Sequence, residues 1–154
     1  MTKYEKLLVK AEKLGVKIKE IDFGDYEECG YYNNSKILIN QNLSEKQKYI
    51  ILAEELGHHF LTYGDISDQK KVQNRKQERI ARNWGYEKIV GIIDIINAFN
   101  AGARNKYEMA EYLEITEPFL ESAIKYYKEK YGVTFKIDEY IVFFEPNLGI
   151  LKMF

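Results

Sequence analysis

The chain has 154 residues, about the length of one ordinary domain or two very small ones. Hydrophobic residues make up 45% and charged residues 31%, which is enough for a core and argues against long disorder. The net charge of −1 excludes a strongly basic nucleic-acid binder, and the single cysteine, Cys29, excludes an intrachain disulfide framework or a Cys-rich zinc knuckle.

No uncharged apolar run approaches the ~18 residues of a membrane span. The first residues lead into a charged helix rather than a signal peptide. The expectation is a soluble cytoplasmic protein without membrane contact. The chain contains two histidines, the neighbours His58 and His59, so any histidine chemistry sits in one place.

Residues 3–14 place Leu7, Leu8, Ala11 and Leu14 at helical spacing, and Gly15 is a stop signal. Residues 16–21 alternate and read as a strand. Tyr31-Tyr32, Asn33-Asn34 and Lys36-Ile37-Leu38-Ile39 read as a hairpin, with asparagine tolerating the positive φ of a tight turn. Ser44 with Gln47 three residues later has capping-box spacing. The helix it opens buries Ile50, Leu52, Ala53, Leu56 and Phe60 and runs to about Tyr63, where Gly64-Asp65 stops it. A second helix is predicted over 68–90, with Lys70, Lys71, Arg75, Lys76, Arg79 and Arg82 around a lone acid, Glu78. Such a basic stretch ordinarily makes a solvated face.

From Gly91 the character changes. Ile92, Ile93, Ile96 and Phe99 make one helix, and residues 107–113 make a short one. Thr116 caps another, with Pro118 in its first turn and Phe119, Leu120, Ala123, Ile124 and Tyr127 on one face. Residues 133–137 and 140–145 read as a terminal β-hairpin. The prediction is an α+β protein: a mixed unit over 1–90, then a helix-turn-helix-like unit with a β-hairpin over 91–154.

The chemistry-bearing segment is Ala53-Glu54-Glu55-Leu56-Gly57-His58-His59. Positions i and i+4 share a helix face, so Glu54 and His58 project side by side, as two metal ligands must. Glu55 stands where the glutamate of H-E-x-x-H acts as general base. Glu54 replaces the first histidine, and a carboxylate is also a zinc ligand. The third ligand must come from elsewhere. Glu78 on the next helix is the better candidate, and Glu87 is farther along. The plain alternative is a solvated helix face carrying two acids and two histidines. His59 lies about 100° around the helix from His58 and does not join the same site.

Leu52-Ala53-Glu54-Glu55-Leu56-Gly57-His58-His59 resembles the active helix of the ImmA/IrrE family of metallopeptidases. Glu78 and the residues to Val90 resemble that family's second helix, with Ala81 and Trp84 at packing positions. Residues 105–113 and Thr116-Glu117-Pro118-Phe119-Leu120 are similar to the C-terminal helical part of the prophage branch. The resemblance spans roughly residues 4–150. It implies a zincin-like unit built from a helix, a short antiparallel sheet, an active-site helix and a second helix. It also implies a zinc-dependent endopeptidase that cuts a helix-turn-helix repressor of a phage or mobile element. The metal set would be Glu54, His58 and Glu78, with Glu55 as general base.

The departure is Glu54, where the family generally has histidine. Two carboxylates and one imidazole put more negative charge on the ion, which weakens its pull on water and admits harder ions such as Mn²⁺ beside Zn²⁺. A non-cleaving regulator that binds the repressor through a vestigial metal site is therefore a second reading. A DNA-binding module is a third. The helix from Thr116 carries Glu117 and Glu121 where phosphate contacts are wanted, which argues against direct nucleic-acid binding. Residues 36–40 precede the active helix, and an edge strand there would pair with an extended substrate.

Overall fold

The computed structural model describes residues 1–24, 30–33, 35–61 and 72–153. Cys29, Lys70, Lys71, the 63–65 helix stop and the start of the second helix at 68 lie outside them. Two compact units divide the chain, Met1–Ile89 and Val90–Phe154.

The first unit opens with α1 (Lys3–Lys13). Thr2 and Glu5 form a reciprocal capping box: the Glu5 amide donates to Thr2 Oγ1 at 3.2 Å, and the Thr2 amide donates to Glu5 Oε1 at 3.0 Å. Tyr4, Leu7 and Ala11 form the buried stripe, whereas Leu14 stays 55% exposed. Gly15 then adopts φ +88°, a left-handed turn that a side chain would resist. Strand β1 (Lys17–Ile21) follows, then β2 (Gly30–Asn33) and β3 (Lys36–Asn40). Between β2 and β3, Ser35 is left-handed at φ +63°, and Asn34 of the expected turn lies outside the described residues.

The sheet order is β1-β3-β2, with β1 parallel and β2 antiparallel to β3. The sheet is therefore mixed, not the antiparallel one expected. The antiparallel return from β2 brings β3 into the middle beside β1, so β3 has both rows of main-chain groups engaged and cannot receive a substrate strand. This corrects its reading as an edge. Ile37 and Ile39 are fully buried there, beneath the helices.

Glu20 ties three elements together. It accepts from Tyr4 Oη of α1 at 2.9 Å and from Lys48 Nζ of the next helix at 2.6 Å. Burial and the bond to Glu20 push the Tyr4 phenol far up. Burial works against the Glu20 carboxylate, but Lys48 and Tyr4 outweigh it and hold its pKa below the ordinary value.

Helix α2 (Glu45–Leu61) starts at the expected capping box. The Gln47 amide donates to Ser44 Oγ at 3.2 Å, and the Ser44 amide donates to Gln47 Oε1 at 3.0 Å. Ile50, Leu52, Ala53 and Leu56 are buried as expected; Phe60 is not, being 41% exposed. Helix α3 (Val72–Ile89) packs on α2 through small residues. A Cβ on Gly57 would stand 2.5 Å from the Ala81 carbonyl oxygen, and Gly85 lies against Ala53. These two crossings run in opposite chain directions, so the helices are antiparallel and nearly touch along Ala53/Gly57 and Ala81/Gly85. Glycine inside a helix costs roughly 1 kcal/mol relative to alanine. Here it allows the close approach.

The second unit contains α4 (Ile92–Asn100), α5 (Lys106–Leu113), α6 (Glu117–Tyr131), β4 (Thr134–Ile137), β5 (Tyr140–Phe143) and β6 (Gly149–Lys152). Asn105 caps α5, its Oδ1 accepting from the Glu108 amide at 2.8 Å. Glu114 reverses the chain at φ +58°, and Thr116 caps α6. The predicted apolar face of α6 is buried in full. Tyr127 is buried with it, and its hydroxyl donates to the Val90 carbonyl at 2.8 Å. The expected hairpin gains a third strand, giving an antiparallel sheet β4-β5-β6. Its signal, Gly149-Ile150-Leu151-Lys152, is too short to show periodicity. No helix among the described residues is long and apolar enough to cross a membrane.

Candidate metal centre

The helix repeat sets Glu54 and His58 on one face of α2. His58 is the one buried polar or charged residue among those described, at 7% exposure. The close α2–α3 crossing at Gly57 and Ala81 brings Glu78 alongside it. His58 Nε2 and Glu78 Oε1 are 3.1 Å apart. Two donors each about 2.0–2.2 Å from a common zinc ion would be separated by a similar span. Glu87 is nine residues past Glu78, about half a turn around α3, and is exposed. Of the two candidate third ligands, Glu78 is the one that faces His58.

Burial disfavours the imidazolium of His58. The hydrogen bond and charge of Glu78, with the charges of Glu55 and Glu54, outweigh this and raise its pKa above the ordinary histidine value. Glu54 responds to burial first, which raises its carboxyl pKa. The Arg82 guanidinium and His58 favour its charge, and Glu78 opposes it. Arg82 belongs to the basic stretch of α3, whose described members Arg75, Lys76, Arg79 and Arg82 are exposed. Arg82 also favours the ionised form of Glu54, while the described stretch keeps the exposure of a solvated face.

One imidazole and two carboxylates are a donor set suited to a divalent cation. His58 and Glu78 already stand together. Among the described residues, no group of three or more His, Cys, Asp or Glu side chains is gathered closely enough to hold an ion. Glu54 does not join His58 and Glu78 in such a group.

Glu55, beside Glu54, projects toward the sheet. A Cβ on Gly30 of β2 would stand 3.2 Å from Glu55 Oε1 and 2.4 Å from Ile51 Cγ2. The absence of a side chain at Gly30 is what lets the edge strand lie over Glu55. His59 points elsewhere, as its helix angle requires. Its Nδ1 lies 2.9 Å from Tyr32 Oη, and its ring meets Phe60 edge-on at 4.6 Å. Sequence reasoning did not single out Gly30, Tyr32, Gly57 or Gly85. The last two carry a readable signal: Ala53-x-x-x-Gly57 and Ala81-x-x-x-Gly85 repeat a small residue at one-turn spacing on each helix.

The sequence model of the M78 peptidases, described as an IrrE N-terminal-like domain, matches residues 11–140. The match covers most of the chain and includes the Glu54–His58 segment and Glu78. The chain belongs to this family. Membership in the IrrE N-terminal-like family supports peptidase activity and the use of a divalent metal, typically zinc. No curated protein matches the chain.

Proposed function

We propose that this protein is a zinc-dependent endopeptidase with a zincin-like site, in which Glu54, His58 and Glu78 hold the ion and Glu55 is the general base. The 3.1 Å approach of His58 to Glu78, made by two helices of a peptidase-family domain, carries this reading. When bound, the ion supplies a Lewis acid that polarises the scissile carbonyl and makes a water easier to ionise. His58 Nε2, which faces Glu78 Oε1, is the atom that would bind the ion. Glu55 accepts the proton of the attacking water and returns it to the departing amine, a role worth about 10²–10⁴-fold in rate. Arg82 keeps Glu54 more readily ionised in a half-buried position. Zn²⁺ is the expected ion, and the two carboxylates also admit Mn²⁺ or another divalent ion.

The substrate we propose is a helix-turn-helix repressor of a phage or mobile element, cut in the cytoplasm to release gene expression. A partner of this kind is consistent with the family resemblance of the C-terminal helical unit, and neither membrane nor DNA contact is invoked. If the substrate binds as an extended strand, β2 is the edge that lies beside Glu55, since β3 is enclosed.

Glu54, standing where the family generally has histidine, favours a second reading: a regulator that binds the repressor without cutting it. Incubating the metal-loaded protein with a helix-turn-helix repressor encoded beside its gene separates the two. Cleavage that disappears in Glu55→Gln while metal binding persists supports the enzyme. An intact repressor in a stable complex with fully loaded protein supports the regulator.

A further inference from the structure

On the flank of α2 away from the metal centre, α1, α2 and α3 leave a groove of about 260 Å³. Leu56 and Phe60 each lie two residues from His58, roughly 200° around the helix, so the groove and the metal centre occupy different faces. Its floor and walls are apolar: Leu7, Leu14, Leu56, Phe60 and Trp84. Leu14 is 55% exposed and Phe60 41%, and the Phe60 and Trp84 rings lie 5.6 Å apart. Large apolar side chains that stay accessible beside one another mark contact surfaces more than scattered exposure does.

The rim carries Lys10 of α1 and Lys88 of α3, and the nearby Lys10 lowers the pKa of Lys88. Two like charges held together at the mouth of an apolar groove repel. Among the described residues, no carboxylate forms an ion pair with either. An anion placed between them would relieve the repulsion and gain charge-assisted hydrogen bonds.

We propose that this groove docks an acidic amphipathic helix of a partner protein, with an apolar anchor on Phe60 and Trp84 and a carboxylate between Lys10 and Lys88. The groove is smaller than the roughly 300–1,000 Å³ typical of small-molecule pockets. It is well sized for one or two anchoring side chains, the units by which a helix binds a groove. The proposal stands apart from the peptidase reading, and its test does not depend on cleavage.

Trp84 is the chain's single tryptophan, so its emission reports occupancy of the groove directly. The full-length protein is titrated with a helical peptide of about 16 residues, long enough to hold a helix, bearing Leu and Phe on one face flanked by Glu. A peptide with Lys in place of each Glu, and decanoate, are titrated in parallel. The expected result is a saturable blue shift with the acidic peptide alone. The double reversal Lys10→Glu/Lys88→Glu should weaken that peptide at least tenfold and bring on binding of the basic one. Leu14→Ser, at an exposed position, should weaken the acidic peptide without altering the far-UV spectrum. Equal titrations by the two peptides, no emission change at millimolar acidic peptide, or an affinity indifferent to the double reversal would each overturn the proposal. Saturation by decanoate with an inert acidic peptide would assign the groove to a small carboxylate and overturn it as well.

Discussion

Gly57 of α2 lies against the backbone carbonyl of Ala81 of α3 so closely that a methyl group there would stand 2.5 Å from the oxygen. Backbone cannot yield as a side-chain tip can, so Gly57→Ala must push the helices apart. Overpacking of this kind costs about 1–3 kcal/mol, more than the roughly 1 kcal/mol that alanine returns in helix propensity. Thermal unfolding should show a lower Tm. Gly85→Ala is the contrast, because its Cβ would meet Ala53 at an ordinary 3.7 Å. It should be neutral or stabilising by up to about 1 kcal/mol. Equal losses in both would mean that the crossing is not set at Gly57.

The His58–Glu78 pair should make stability depend on pH in the metal-free protein. Its raised folded-state pKa adds stability that is fully present below the unfolded value of about 6.5 and lost as pH rises through the folded value. Glu78→Gln should therefore be most destabilising, relative to the parent, near pH 5.5 in denaturant titrations with chelator. The difference should shrink toward pH 9. A difference that instead grows with pH would contradict the pairing.

Zinc should stabilise the folded chain by linkage, by about 2.7 kcal/mol at a free concentration of 100 times Kd. Glu78→Gln should remove about half of this gain or more, since the amide is a weaker ligand and leaves His58 unsupported. Calorimetric titration is expected to show zinc affinity at least about tenfold weaker, a loss of ~1.4 kcal/mol. Unchanged affinity in Glu78→Gln would take Glu78 out of the metal set.

Glu54→His exchanges a hard oxygen donor for an imidazole. It should raise the preference for zinc over manganese by about tenfold or more, ~1.4 kcal/mol. It should also move the acidic limb of any peptidase pH profile to lower pH, because one fewer negative charge reaches the ion and the water ionises more readily. A fall in both zinc affinity and rate would show that the carboxylate suits this site better than the family's histidine.

Gly30→Ala tests the approach of β2 to Glu55. The new methyl would crowd Ile51 Cγ2 at 2.4 Å and Glu55 Oε1 at 3.2 Å. Turnover of a peptide substrate should fall further than the shift in Tm would explain, because the strand edge and the base are displaced together. A variant with parent-like turnover would separate β2 from the active face.

The parts of this protein legible in its sequence are those written in short-range spacing. Ser44 with Gln47 announces the start of α2, and Thr116 with Pro118 the start of α6, because a cap is a local hydrogen-bond pattern. Glu54 and His58 are adjacent on a face because a helix repeats every 3.6 residues. The place of β3 was not legible. Its Ile37/Ile39 alternation records that one face is buried, and an edge strand and a central strand can share that pattern. Whether a second neighbour comes alongside depends on the return of the chain from β2. Phe60 was misjudged for a related reason: periodicity assigns a residue to a stripe and does not say where the covering neighbour ends. The α2–α3 approach rests on glycines, which leave no hydrophobic signature. Their message is the volume they withhold.

The central position of β3 also bears on how the unit comes apart. Its amides are paired toward β1 and β2, and the chain passes from it through a short turn into α2. Solvent protons should therefore exchange slowly at Ile37 and Ile39, whose side chains are fully buried, and faster along β1 and β2. An opening large enough to expose those two amides would also uncouple the sheet from the helix bearing His58. In a native-state exchange series, the slowest protons of the sheet and the loss of the candidate centre should share one opening free energy.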